Sequence, residues 1–142
     1  MPSDVIISIR PKFAEAILSG NKSVELRRRI QSLPLGTRMW IYATKPTGAV
    51  IGSAILCEVL QGSPLEIWGC VQSRAGVSEE EFAAYFDGTD SATGLVLKNV
   101  RRVKAIGMDA LRQIRPGFHP PQVITKLIDE EANALEILVV KS

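Results

Sequence analysis

At Gly20 the hydrophobic period changes from that of a helix to that of a strand, and this change restricts the fold more than any other feature of the chain. Upstream, Phe13, Ala14, Ile17 and Leu18 sit at helical spacing, Pro11 suits a first helical position, and Gly20 can take the positive φ that ends a helix. Downstream, Val24 and Leu26 alternate with Ser23, Glu25, Arg27 and Arg29, the period of a strand with one apolar and one polar face. A helix over 11–19 that turns directly into a strand over 22–30 excludes an all-helical bundle. It also lines up one carboxylate with two guanidinium groups.

The remaining segments extend this pattern. Residues 4–9 read as a first strand, with Val5, Ile7 and Ile9 on one face, and Leu33-Pro34-Leu35-Gly36 makes a turn. Strands follow over 38–44 and 49–60, joined by the loop Pro46-Thr47-Gly48. Over 63–90 the pattern becomes helical. Ser63 with Pro64 and Glu66 starts one helix, and Ser78 with Glu81 forms a capping box for a second. In that second helix Phe82, Tyr85 and Phe86 form a stripe whose spacing suits core packing better than base stacking. Residues 93–104 return to strand character, and a helical turn over 109–113 is broken by Arg115-Pro116-Gly117. Pro120 and Pro121 open a last helical region reaching about 139, although Leu138-Val139-Val140 would also suit an edge strand. Five strands interleaved with short helices, without regular βαβ alternation, predict an α+β mixed barrel rather than a doubly wound sheet.

The length of 142 residues and the 46% hydrophobic content suit one domain over 1–142 with a helical insertion around 63–90. There is no secretory-type start and no apolar run long enough for a bilayer, so a soluble, cytoplasmic protein without membrane contact is expected. Cys57 and Cys70 are too few for a disulfide framework, Cys57 reads as a core thiol, and His119 stands alone, so neither a metal nor a cofactor is expected. The net charge of +2 hides an asymmetry. Residues 1–60 carry eight basic and four acidic side chains, residues 61–93 one and six, and the remainder eight and five. A basic face made by the two ends suits a polyanion, and the acidic segment 61–93 could dock a protein partner.

The run Gly20, Lys22, Glu25, Arg27, a Gly-x-Lys-x-x-Glu-x-Arg pattern after a short helix, resembles the signature of the ASCH domain family of the PUA-like superfamily. The start Ile7-Ser8-Ile9-Arg10-Pro11-Lys12-Phe13-Ala14 resembles the family as well. So do Trp40-Ile41-Tyr42-Ala43-Thr44, Val50-Ile51-Gly52, Gly94-Leu95-Val96-Leu97 and Phe118-His119-Pro120-Pro121-Gln122. The resemblance implies a PUA-like mixed β-barrel of five to six strands with short flanking helices at one end and a cleft at the other. Lys22, Glu25 and Arg27 would line that cleft.

Glu25, Arg27 and Arg29 lead the candidate ligand-binding residues, because guanidinium groups grip phosphate bidentately and a carboxylate between them can hold one in place. A solubilising ion-pair ladder is the competing reading. Tyr42, sharing a strand face with Arg38 and Trp40, and Lys45 at the strand's end give the aromatic-plus-cation pairing of single-strand binders. Trp40 itself suits the core. Lys98, Arg102 and Lys104 form a basic stripe without aromatics, suited to phosphate contact or to a protected edge. Gln122 could offer its amide to a base edge or cap backbone.

The catalytic residues are not settled by sequence, and the candidates are Lys22, Glu25 and Tyr42. Relatives that hydrolyse acylated cytidines use a threonine nucleophile, and at the corresponding spacing from Lys22 this chain carries Glu25. The expectation is an accessory or regulatory module that binds RNA or single-stranded nucleic acid in a basic cleft. The alternative is a small hydrolase, an amidohydrolase or ribonuclease, acting on a modified nucleoside or RNA in the same cleft.

Overall fold

A computed structural model describes residues 2–141. Its strands are β1 (Val5–Ile9), β2 (Val24–Arg27), β3 (Arg38–Ala43), β4 (Ala49–Gly62), β5 (Ala92–Gly107) and β6 (Ile124–Lys126). Its helices are α1 (Pro11–Leu18), α2 (Pro64–Val71), α3 (Glu79–Tyr85), α4 (Met108–Ile114) and α5 (Asp129–Lys141). One mixed sheet runs in the order β2-β5-β4-β3-β1-β6, with β1 and β3 parallel and the other pairs antiparallel. Three strands separate β2 from β1 in that order, yet Arg27 Nη2 donates to the Ser8 carbonyl at 2.8 Å. The sheet therefore curls into a half-barrel, and the α+β barrel expected from the sequence is the observed architecture.

The period change at Gly20 falls where the sequence places it, with Gly20 at φ +89 directly after α1. Helix α1 fills the curl, burying Ala14 and Ile17 against Val5, Ile7, Ile41 and Leu95. On the outer face of the sheet, Ile6, Trp40, Tyr42 and Val50 pack against Leu111 of α4 and Leu135 of α5. A third cluster joins Val24 and Leu26 of β2 to Ile67 and Val71 of α2 and to Phe82 and Phe86.

Strands β4 and β5, 14 and 16 residues long, form a hairpin whose three register shifts let it bend around the curl. Gly62 pairs with Ala92, so the segment carrying α2 and α3 leaves the hairpin and returns to it at one place. The acidity of this segment is partly spent locally: Glu66 and Glu81 complete capping boxes with Ser63 and Ser78, which lower both carboxyl pKa values.

The structure corrects three sequence expectations. Residues 122–128 are not helical; β6 forms there and pairs with β1, because Pro120 and Pro121 favour extended backbone and β1 has an edge to cover. Residues 138–140 belong to α5 and form no edge strand. Cys57 is exposed rather than a core thiol, since it occupies the register shift between Leu56 and Glu58 and is turned out of the strand's alternation. No helix among the described residues is long and apolar enough to cross a membrane.

Candidate functional site

A cleft of about 750 Å³ opens where the end of β1, the start of α1, β2, α3 and the 121–122 loop converge. Its floor is a chain of charges. Lys22 Nζ donates to the Ala75 carbonyl at 2.5 Å, lies 3.5 Å from Glu25 Oε1, and sits 5.0 Å from the centre of the Phe13 ring. Glu25 Oε2 accepts from Arg27 Nη2 at 2.8 Å, the same nitrogen that reaches the Ser8 carbonyl. The three side chains are 2%, 7% and 15% exposed, so the ion pairs are shielded from water although they border an open volume. Burial pushes the Lys22 ammonium below its ordinary 10.5, against the opposing pull of the Glu25 carboxylate.

Local backbone geometry makes this arrangement possible. After α1 the Lys22 amide donates back to the Ala16 carbonyl, and the Ser23 and Val24 amides donate to the Arg74 carbonyl, which docks the 74–76 segment over the start of β2. Gly76 takes φ +67, and a Cβ there would lie 3.0 Å from Lys22 Cβ. Glycine at this position lets the backbone roof Lys22 closely enough for the Ala75 carbonyl to accept its hydrogen bond.

The rim is formed by Arg10, Phe13, Thr44, Glu81, Tyr85 and Gln122. Arg10 is exposed and carries no ion pair among the described residues, whereas Glu81 is held by Lys12 at 3.2 Å. The aromatic stripe of α3 divides. Phe82 and Phe86, four residues apart, pack inward with tilted rings 4.6 Å apart and are buried, while Tyr85 turns its ring to the rim and is 41% exposed.

Lys22, Glu25, Arg27 and Gln122 share one cleft; the family resemblance implied a cleft position for the first three. Arg29 lies outside it, in a shallower groove of about 290 Å³ beside Arg28 and Asp90. Tyr42 does not reach the cleft: its face of β3 is covered by α4 and α5, and its hydroxyl sits 3.6 Å from Met108 Sδ. Trp40 is fully buried on the same face. Lys45 is exposed in the turn after β3 and does not line the cleft. In the basic stripe of β5, Arg102 is paired with Glu15 at 2.7 Å. Sequence reasoning missed Arg10, Phe13 and the outward turn of Tyr85. The available signal was the strand-to-helix junction at Arg10-Pro11, which must lie at an end of the barrel. No cluster of His, Cys, Asp and Glu among the described residues suits a metal ion.

No protein-family model matches this chain. An ASCH domain-containing ribonuclease of Zymomonas mobilis is 42% identical over 132 residues, spanning 93% of this chain and 89% of that protein. The crystal structure of ASCH from Zymomonas mobilis matches with a TM-score of 0.93, covering 96% of this chain and 95% of that one. The N-terminal domain of Staphylothermus marinus McrB, 13% identical, shares the fold at a TM-score of 0.60 over 94% of this chain and 92% of that chain. With identity of that order over nearly the full length of both chains, and the Lys22, Glu25 and Arg27 pattern assembled in one cleft, this chain belongs to the ASCH domain family.

Proposed function

We propose that the cleft binds RNA as a single strand, and that the protein acts as an accessory or regulatory RNA-binding module. The observation that carries this reading is the buried Lys22, Glu25 and Arg27 chain on the floor of the cleft of about 750 Å³, with the unpaired Arg10 guanidinium and the exposed Tyr85 ring at its rim. The chain keeps one net positive charge in a fixed position, Arg10 adds a second at the rim, and Tyr85 offers a face on which a base leaving the cleft can stack. The ribonuclease relative supports RNA as the polyanion. A protein partner at the acidic segment gains no such support. As part of the same proposal, residues 1–142 form one domain with 63–90 inserted into a hairpin. A cytoplasmic location is also part of it, in keeping with the free thiols Cys57 and Cys70.

Titration of labelled single-stranded RNA at low and at physiological salt tests the proposal. Affinity should fall as salt rises, with a slope of about 0.7 per neutralised phosphate. Absence of binding at low salt sinks it.

A second reading, in which the bound strand is also cut, rests on the Zymomonas ribonuclease relative. Of Lys22, Glu25 and Tyr42, only the first two stand in the cleft, and Glu25 is held between two cations. Lys22, with its proton affinity lowered by burial, is the group to test. Cleavage of end-labelled RNA that survives unchanged in Lys22→Met excludes a role for the amine. The amidohydrolase alternative finds no hydroxyl nucleophile at the expected spacing, where Glu25 stands locked by Lys22 and Arg27.

A further inference from the structure

We infer that the cleft is the first of two nucleotide subsites, and that the strand leaves it across Tyr85 into the groove holding Arg28 and Arg29. This rests on the RNA-binding reading above. Tyr85 lines the cleft, and Arg28 lines the groove, and the two side chains meet at the divide: the Arg28 guanidinium carbon lies 5.5 Å from the centre of the Tyr85 ring, and Arg28 Nε donates to the Tyr85 carbonyl at 2.8 Å. The ring is also braced edge-on by Phe86 at 4.8 Å, so it is held at the divide rather than free to swing.

The charge state of the groove points the same way. Among the described residues Arg38, Arg101, Arg102 and Arg115 are paired with carboxylates, while Arg10, Arg74 and Arg112 are not. In the groove, Arg28 uses Nε alone and Arg29 has no side-chain partner among the described residues. Asp90 stands in the same wall but forms no ion pair with either, so both guanidinium groups keep their charge available. A ring between two cationic recesses fits alternating base and phosphate. The base following the one in the cleft stacks on Tyr85, and its phosphate meets Arg28 and Arg29.

The test compares uridine mononucleotide with a longer oligouridylate by competition against a labelled RNA. The wild-type protein should bind the longer ligand at least about tenfold more tightly, the value of one stacked base with its phosphate contact. An Arg28→Gln, Arg29→Gln double variant should lose that advantage and show a shallower salt dependence, while its mononucleotide affinity stays unchanged. Tyr85→Ala should lower affinity for the longer ligand about tenfold, and Tyr85→Phe should restore it, because stacking needs the ring and not the hydroxyl.

Equal affinity for both ligands, with Arg27→Gln still weakening both, overturns the second subsite and leaves the cleft reading standing. An unchanged double variant overturns it as well. Absence of binding by either ligand overturns the cleft reading together with this one.

Discussion

Among the described residues two carboxylates are each shared by two cations, and one of them lines the cleft. Glu25 lies between Lys22 at 3.5 Å and Arg27 at 2.8 Å. Glu136 lies between Arg38 at 2.9 Å and Arg101 at 2.8 Å, with both guanidinium groups near the Trp40 ring. The second cluster is 28% to 42% exposed and joins α5 to β3 and β5 on the outer face. The first is almost wholly buried and is tied to the carbonyls of Ser8 and Ala75, which belong to two other segments. The same charges thus make a fastener in one place and the floor of an open cleft in the other. What separates them is desolvation beside an empty volume.

The largest effect expected from this contrast is on stability. Glu25→Gln leaves two buried cations without their counter-charge and should cost about 3 kcal/mol of unfolding free energy, whereas Glu136→Gln, with its partners reachable by water, should cost about 1 kcal/mol or less. Urea unfolding of both variants checks this. Equal losses would break the comparison. Next in size is Gly76→Ala, which forces a side chain into left-handed backbone against Lys22 and should cost about 1–2 kcal/mol by the same measurement. A neutral result would mean that the roof over Lys22 relaxes freely.

Binding sharpens the comparison further. Arg27→Gln should weaken RNA affinity about tenfold and reduce the salt slope by nearly one contact. Arg38→Gln should leave both unchanged in the same titration, and a matching loss would show that the outer cluster also meets the ligand.

The smallest effects separate the clusters by pH. Lys22 has a folded value below its ordinary 10.5, so between the two the unfolded chain binds the proton more tightly. This contribution to stability rises as pH climbs through that window, and Lys22→Met should remove the rise. Glu136 is held below its usual 4.5, chiefly by the hydrogen bond from Arg101. Its contribution is present above 4.5 and is lost as pH falls through the lowered value, so Glu136→Gln should flatten the acid limb. Unfolding curves at stepped pH read both. Exchange of the two behaviours between the variants would refute the assignment.

Parts of this organisation were legible in the residues. The alternation of Val24, Glu25, Leu26 and Arg27 states which side chains share a face, and the capping pairs Ser63 with Glu66 and Ser78 with Glu81 state where two helices begin. The place of Tyr42 was not legible. Its parity on β3 is that of Trp40, but parity does not say which face of the sheet the cleft adjoins, and that face is covered by α4 and α5. Cys57 failed for a related reason, since a single extra residue in a long hairpin reverses the alternation without leaving a mark in composition.

The sequence by itself determined the helix-to-strand switch at Gly20, the α+β character and the set of charges on β2, because each of these follows from spacing within a few residues. Only the tertiary structure decided that Arg27 meets Ser8, that Ala75 roofs Lys22 and that Tyr85 rather than Tyr42 faces the cleft. These contacts join segments far apart in the chain. They depend on how the sheet curls and on which helices cover its two faces, and the periodicity of one segment carries no information about either.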